Sequence, residues 1–399
     1  MNQDLPTKIF SEFDRELNLL KENDRYRILN SIEITSSTQL KLNGKRFINL
    51  ASNNYLGMSQ RLRVKWASIL ADLKYGTGAG ASRLMSGNYT LYDELEKHIA
   101  ELKQTEDALV FPTGYMANIG TLPAVLDSDD LVILDRSCHA SLIQGAKLSG
   151  AKLWVYPHND MLTLESLLEK AKLAKFSKIM VVTESLFSMD GDIVPLPDLV
   201  GLCKKYGAFI MLDEAHATGV LGKEGRGACE YFNLPSDQID ILMGTLSKAM
   251  GSLGGFVAGK RKLIDYLRNR SKPFIYTTGL PPACVAASIQ AIKLLRKSKD
   301  LLSRLHSNIH FFYQGLKTSG ICIPENLTPI FPILFGSEEK TLKAAEILLQ
   351  FGVYAPAIRP PTVPENESRL RLSVLSAHSK EQLKHVITAV KKAKEQTEK

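Results

Sequence analysis

The feature that most restricts the fold is an alternation of short apolar segments with helical segments through the middle of the chain. Strands are predicted at Ala108 to Phe111, Leu131 to Asp135, Lys152 to Tyr156, Lys178 to Thr183, Phe209 to Asp213, Ile239 to Gly244 and Phe256 to Gly259. Helical periodicity fills most of the gaps, as in Thr90 to Leu102 and Leu162 to Ala174. Because short apolar strands alternating with helices form a covered, mostly parallel sheet, we predict a large doubly wound α/β domain.

The two ends of the chain follow other patterns. A charged amphipathic helix is predicted over residues 8–30, and Asn43-Gly44 predicts the turn of a hairpin over Leu40 to Leu50. A long helical segment is predicted from Pro282 to Leu305. The elements after it predict a smaller α+β domain: Ile330 to Phe335 (strand), Lys340 to Gln350 (helix), Arg369 to Val374 (strand) and a final helix from Lys380. Pro332 places the first of these strands at a sheet edge. The predicted division is an N-terminal helix and arm (1–49), the large domain (50–288) and the C-terminal domain (289–399).

Composition excludes several classes of protein. Apolar residues make up 44% and charged residues 23%, which is typical of a packed globular chain. No apolar run approaches the ~20 residues of a membrane helix, and Met1 to Phe10 lacks the apolar core of a signal peptide. The 5 cysteines include no Cys-x-x-Cys pair, which favours reduced thiols over disulfides or a zinc site. We therefore expect a cytoplasmic protein with no metal ion and no membrane partner.

The net charge of +8 favours an anionic partner, either nucleic acid or a phosphorylated small molecule, although solubility alone explains it equally well. Three segments resemble nucleotide-binding motifs, but each lacks a feature that its motif requires. Gly76 to Ala81 resembles a dinucleotide fingerprint but follows a predicted helix instead of a strand. Gly254 to Lys260 resembles a P-loop, but Arg261 stands where Ser or Thr must hold magnesium. Asp213 to His216 matches a helicase box, which cannot act without a P-loop, so a nucleic-acid ATPase is rejected.

A different group of polar residues comes just after the predicted strands, at the edge where open sheets bind ligands. It contains a lysine, a carboxylate, two histidines and the first residues of a helix: Lys248, Asp213, His139, His216, Gly114 and Tyr115. Pyridoxal 5′-phosphate (PLP) needs such a set, namely a lysine to hold it, an acid at its pyridine nitrogen, donors for its phosphate and a flat partner for its ring. Singly, these residues are ordinary solvated, capping or structural side chains. Their shared position favours a PLP site.

Longer motifs extend this interpretation over almost the whole chain. They are Ala51 to Gly57, Ser82 to Asn88, Glu184 to Asp192, Asp213 to His216, Gly244 to Lys248, Arg359 to Pro364 and Ser368 to Ser373. Together they resemble the α-oxoamine synthases of PLP fold type I, the aspartate aminotransferase-like group. The segment Arg359 to Pro364 favours the alanine-using member of the biotin pathway over its glycine-using sisters.

The resemblance implies roles for individual residues around the cofactor. Lys248 would hold PLP as a Schiff base, Asp213 would pair with the pyridinium nitrogen, and His139 would stack on the ring; these three are the predicted catalytic residues. The ring hydroxyl and the phosphate would be contacted by a second set: His216 and Ser188 for the hydroxyl, and Thr245, Gly114 and Tyr115 for the phosphate.

The resemblance also implies a substrate site and a reaction. Arg371 and Asn53 would hold the amino-acid carboxylate, and Arg27, Thr362 and His139 would make further substrate contacts, with Arg25 as the alternative to Arg27. The implied reaction condenses L-alanine with a pimeloyl thioester of coenzyme A or acyl carrier protein and releases carbon dioxide and the thiol. A glycine-using synthase, such as 2-amino-3-ketobutyrate ligase or 5-aminolevulinate synthase, remains the alternative. The family also implies a homodimer.

Overall fold

The computed structural model describes residues 5–397, without the side chains of residues 5–8 and 299. The expectation about the first ten residues therefore lies partly outside the described residues. The helices are α1 (Leu5–Glu22), α2 (Leu62–Tyr75), α3 (Thr90–Lys103), α4 (Gly114–Val125), α5 (Ala140–Ser149), α6 (Met161–Leu173), α7 (Leu196–Tyr206), α8 (Ala228–Tyr231), α9 (Arg261–Arg270), α10 (Lys272–Ile275), α11 (Pro282–Lys297), α12 (Lys299–Thr318), α13 (Glu338–Gln350) and α14 (Lys380–Thr397). Within this described range, no helix combines the length and apolar character needed to cross a bilayer.

The strands are β1 (Ile32–Ile34), β2 (Gln39–Leu42), β3 (Lys45–Asn49), β4 (Asp107–Phe111), β5 (Leu131–Asp135), β6 (Lys152–Tyr156), β7 (Ile179–Glu184), β8 (Phe209–Asp213), β9 (Ile241–Thr245), β10 (Gly255–Gly259), β11 (Ile330–Gly336), β12 (Val353–Tyr354), β13 (Ala357–Ile358) and β14 (Ser368–Ser373). Short 3₁₀ helices lie at Met58–Gln60 and Ser236–Gln238. Every strand predicted in the middle of the chain is confirmed to within two residues at each end.

The chain forms two compact units. The large unit contains residues 53–307 and 375–377, and the small unit contains the chain up to Ser52, residues 308–374 and the chain from His378 onward. The sequence-based division after residues 49 and 288 stays a prediction.

The large unit is built on a seven-stranded sheet of described strands in the order β4-β10-β9-β8-β7-β5-β6. Strands β5 to β9 are parallel, and β10 runs antiparallel between β9 and β4. Apart from the edge strand β6, their residues are almost all buried, as expected for strands that helices cover on both faces. The prediction of a doubly wound, mostly parallel sheet is confirmed.

The register of this sheet brings several chain segments to one edge. Asp213, at the end of β8, lies between Glu184 of β7 and Met243 of β9. Gly255, the first residue of the antiparallel strand, pairs with both Thr245 and Phe111. The carboxyl ends of β4, β5, β7, β8 and β9 therefore share the edge where open parallel sheets bind ligands.

The small unit contains a four-stranded sheet, β1-β2-β3-β12, and a three-stranded sheet, β11-β14-β13, counted over the described residues. The hairpin predicted around Asn43-Gly44 joins β2 to β3, and Asn43 (φ 50°) and Gly44 (φ 76°) adopt the left-handed conformation that such a turn requires. Strand β11 lies at a sheet edge, as Pro332 predicted.

Two helix predictions were wrong. The N-terminal helix ends at Glu22 instead of continuing to residue 30, because Asp24 turns into the left-handed region (φ 54°) and the Asn23 side chain bonds to the carbonyl of Leu19. The long helix predicted from Pro282 to Leu305 is two helices. Ser298 leaves the helical conformation (φ −112°, ψ 85°), and its carbonyl accepts from Leu301 at the start of α12.

Candidate active site

A cavity of about 240 Å³ opens at the carboxyl edge of the large sheet. It is lined by Thr113, Gly114, Tyr115, Asn118, His139, Ser141, Glu184, Asp213, Ala215, His216, Met243, Thr245, Ser247 and Lys248. The structure thus brings together the predicted lysine, carboxylate, two histidines, threonine and helix start in a single cavity. Ser188 is partly buried in the loop after β7 and is not among the lining residues.

One wall of the cavity is the start of α4. Thr113 caps this helix by accepting from the amide of Met116 (3.1 Å), while the preceding amides, of Gly114 and Tyr115, have no partner within the helix. A Cβ on Gly114 would lie 3.1 Å from the methyl carbon of Met243, so a larger residue at this position would force that side chain to shift. A helix start with exposed amides is a ready anion site.

Hydroxyl groups lie next to this helix start, at the end of β9. Thr245 Oγ1 donates to the carbonyl of Gly254 (2.9 Å) and is 2.8 Å from the hydroxyl of Ser247. These hydroxyls line the same cavity as Gly114 and Tyr115. The arrangement can therefore offer hydroxyl and amide donors to one anionic group.

The two carboxylates of the cavity differ in their surroundings. Asp213 is 5% exposed, and its two oxygens accept from Asn118 Nδ2 (2.9 Å) and from the amide of Ala215 (2.8 Å). For Glu184, burial and then the nearby Asp213 charge raise the pKa to about 8. Glu184 is therefore mostly neutral at pH 7, while it accepts the backbone N–H of His139 (2.6 Å). Of this pair, Asp213 carries the negative charge.

His139 lies at the start of α5, after the buried strand β5. Its Nδ1 accepts from the amide of Ser141 (3.2 Å) and contacts that residue's hydroxyl (2.7 Å), which in turn accepts from Asn118 (2.9 Å). Burial lowers its pKa, as the charge of Lys248 also does, while Asp213 acts in the opposite direction. The ring is therefore neutral and fixed in orientation, as stacking on a flat ligand requires.

Lys248 ends a chain of hydrogen-bonded side chains that reaches back to the start of the large unit. Its Nζ is 2.8 Å from His216 Nε2, and His216 Nδ1 is 2.7 Å from the hydroxyl of Tyr55. Tyr55 in turn donates to Asn53 Oδ1 (3.2 Å). These hydrogen bonds connect Lys248, the predicted cofactor lysine, with Asn53, a predicted substrate residue.

The other predicted substrate residues belong to the small unit. Arg371 is buried on β14 and donates to the hydroxyl of Ser373 (2.9 Å). Arg27 Nη2 is 3.4 Å from the hydroxyl of Thr362, whereas Arg25 forms ion pairs with Glu338 (2.9 Å) and Glu365 (2.5 Å). Two carboxylates thus balance the charge of Arg25, whereas Arg27 contacts a neutral hydroxyl.

Sequence reasoning assigned no role to four polar residues of this network: Asn118, Ser141, Glu184 and Tyr55. Two of them carried a usable signal. Glu184 directly follows the predicted strand Lys178 to Thr183, and Asn118 lies one helical turn after Gly114 and so on the same helix face. Ser141 is only two residues from His139, and its contact belongs to the local start of α5, whereas only the tertiary structure brings Tyr55 to His216.

The residues of the cavity fit PLP. A lysine amine, a charged carboxylate, a neutral imidazole and a helix start with neighbouring hydroxyls all face one space. These are the groups that PLP requires for its aldehyde, pyridine nitrogen, ring face and phosphate.

Comparison with known proteins agrees with this reading. The family model "Aminotransferase class I and II" matches residues 45–390. The 8-amino-7-oxononanoate synthase of Thermoanaerobacter pseudethanolicus is 45% identical over 381 residues, covering 96% of each chain. A serine palmitoyltransferase from S. paucimobilis with a bound PLP–myriocin aldimine superposes with a TM-score of 0.92 at 32% identity, over 99% of this chain and 100% of that one. The 8-amino-7-oxononanoate synthase of Francisella tularensis gives 0.75 at 28% identity, over 87% and 97%.

The chain therefore belongs to the class I and II aminotransferase family of PLP-dependent enzymes. Within it, the chain groups with the 8-amino-7-oxononanoate synthases and is an acyltransferase of the α-oxoamine synthase type, with a role in biotin synthesis.

Proposed function

We propose that this enzyme condenses L-alanine with a pimeloyl thioester, with loss of carbon dioxide and release of the thiol. The observation that carries the proposal is the cavity in which Lys248, the charged Asp213 and the start of α4 face the same space. The substrates are supported by the names of the relatives and by the segment Arg359 to Pro364. The thiol carrier is coenzyme A or acyl carrier protein, and the +8 charge suits either phosphate-bearing carrier.

Bound PLP supplies a ring that accepts electrons from the Cα of an amino acid. Asp213 keeps the ring nitrogen protonated, and its bonds from Asn118 and Ala215 hold its oxygens in place. His139 covers the ring face. Gly114, Tyr115 and Thr245 hold the phosphate, and His216 and Ser188 approach the ring hydroxyl.

Lys248 has two tasks in this proposal. It holds the cofactor, and its Nζ takes the proton from the Cα of alanine. Asn53 and Arg371 bind the carboxylate of alanine, and Arg27 and Thr362 contact the acyl substrate. The active enzyme is a homodimer.

A substrate matrix tests this function. Alanine, glycine and serine are combined with pimeloyl, acetyl and palmitoyl thioesters of coenzyme A, with pimeloyl-acyl carrier protein as a further donor, and thiol release is measured as kcat/KM. One methyl group in a pocket contributes only about 1–3 kcal/mol, so we expect modest discrimination between alanine and glycine and a sharper preference for the pimeloyl chain. The gene should also restore growth of a biotin auxotroph that lacks this step.

Faster turnover of glycine with acetyl-CoA, together with no rescue of the auxotroph, would move the enzyme to the 2-amino-3-ketobutyrate ligase branch. Faster turnover of serine with palmitoyl-CoA would instead favour the palmitoyltransferase branch.

A further inference from the structure

Tyr55 is a fully buried tyrosine whose hydroxyl lies between two groups of the proposed site. It is 2.7 Å from His216 Nδ1 and donates to Asn53 Oδ1 at 3.2 Å. A hydroxyl has one proton, and the bond to Asn53 uses it. With that proton donated to Asn53, the contact with His216 is one in which the imidazole Nδ1–H donates and the Tyr55 oxygen accepts.

This direction determines the state of the opposite ring nitrogen. In a neutral imidazole one nitrogen carries the proton and the other accepts, so Nδ1–H leaves Nε2 with its lone pair. Nε2 is the atom 2.8 Å from Lys248 Nζ. The Lys248 ammonium therefore has an imidazole acceptor, and hydrogen bonding to a charged form favours that form.

From this series of hydrogen bonds we infer that Tyr55 is a positioning residue for Lys248. By fixing His216 as the Nδ1–H tautomer, Tyr55 sets the acid–base behaviour of the lysine amine. The inference rests on the proposed function only in taking Lys248 as the PLP-holding residue. Other charged or titratable groups around the same cavity are Asp213, Glu184, His139 and Tyr115, and the substitutions below leave all four in place.

Tyr55→Phe is the discriminating variant, because it keeps the buried ring and removes only the hydroxyl. Without its acceptor, Nδ1–H is no longer favoured, and the Nε2–H tautomer, which cannot accept from the lysine, gains population. The Lys248 ammonium then loses stabilisation, so we expect its titration midpoint to fall by about one pH unit.

The measurement is competitive acetylation of the full-length protein freed of PLP, over a range of pH, with Lys248 and the exposed Lys223 quantified on their peptides by mass spectrometry. Reloading with PLP afterwards shows that each sample stayed folded. Tyr92→Phe is the matched control: Tyr92 is also buried, and its hydroxyl accepts from Leu280 (2.6 Å) away from the cavity lining. It should leave the Lys248 midpoint unchanged.

Two further results decide the inference. His216→Gln should lower the midpoint as well, and adding Tyr55→Phe to it should produce no additional shift, because the tyrosine acts through the histidine. In ¹⁵N-histidine-labelled wild type, the His216 ring should be protonated at Nδ1. An unchanged or raised midpoint in folded Tyr55→Phe, an additive double variant, or an Nε2–H ring in the wild type would overturn the inference. None of these outcomes depends on which acyl substrate the enzyme uses.

Discussion

Two lysines approach the same turn of the large unit, residues 213–218, and their surroundings differ. Lys103, at the end of α3, is 2% exposed. Its Nζ donates to Glu214 Oε2 (2.5 Å), Thr218 Oγ1 (2.7 Å) and the carbonyl of Arg226 (2.5 Å). Lys248 lines the cavity, and its Nζ contacts the imidazole of His216.

The difference shows that a lysine's partners and its access to a cavity together decide its chemistry. All three protons of Lys103 are used, and a carboxylate balances its charge, so its role is structural. Close packing completes this arrangement: a Cβ on Gly227 (φ +117°) would lie 2.3 Å from Glu214 Oε1. Lys248 contacts an imidazole and opens onto a cavity, so its amine can exchange protons and react.

The largest expected effect is on Lys248. Lys248→Ala should remain folded but lose covalent retention of PLP and lower kcat by about 10⁴-fold, because both the cofactor anchor and the base are removed. Visible absorbance after desalting and single-turnover kinetics measure the two losses. A variant that retained more than a tenth of wild-type activity would show that another residue carries out these tasks.

Next comes the structural lysine. Lys103→Met should lower the free energy of unfolding by about 3–5 kcal/mol, because it leaves the Glu214 carboxylate buried without its ion partner. Urea denaturation of the PLP-free protein measures this value. The double variant Lys103→Met/Glu214→Leu should recover most of the loss, since it removes both charges. A single variant as stable as wild type would contradict the assigned role.

Asp213→Asn comes third. The amide cannot hold the proton on the ring nitrogen, so we expect PLP still to bind while kcat/KM falls by about 100- to 1,000-fold. A cofactor analogue with a permanently cationic N-methyl pyridinium ring should restore part of the activity. Full activity with ordinary PLP would instead leave Asp213 as a structural residue of the turn.

The smallest effect concerns Glu184, whose pKa is raised to about 8. A carboxyl that titrates higher in the folded protein than in the unfolded chain stabilises the fold fully below pH 4.5, and this stability is lost as pH rises towards 8. Glu184→Gln can still accept from His139 but cannot ionise. In the PLP-free protein, the variant should therefore gain about 2 kcal/mol relative to wild type between pH 5 and pH 6.5. If the unfolding free energies of the variant and the wild type stayed parallel over this pH range, the Glu184 carboxyl would not titrate there.

The sequence predicted the residues that follow strand ends better than the residues that support them. Lys248, Asp213 and His139 were identified because apolar strands locate the binding edge of a parallel sheet. Tyr55 and Lys103 were not, because their partners His216 and Glu214 are more than a hundred residues away along the chain. Lys103 has the pattern of an ordinary lysine in the last turn of a helix, and only the fold shows that it is buried.

The errors in the helix boundaries have local causes. Apolar periodicity continued past Glu22 and past Ser298, but Asn23-Asp24 and Ser298 offer side-chain and backbone conformations that compete with the helix. Such competition depends on φ and ψ at a single residue, to which an averaged periodic pattern is insensitive.

The most direct test of the central claim, that Lys248 and not its buried counterpart holds PLP, is borohydride reduction of the purified yellow enzyme followed by peptide mapping. Reduction fixes the cofactor covalently to whichever lysine carries it. The account predicts one phosphopyridoxyl group per chain, on the peptide that contains Lys248, with loss of the visible absorbance. The same mass on a peptide containing Lys103, Lys260 or Lys262 would contradict it.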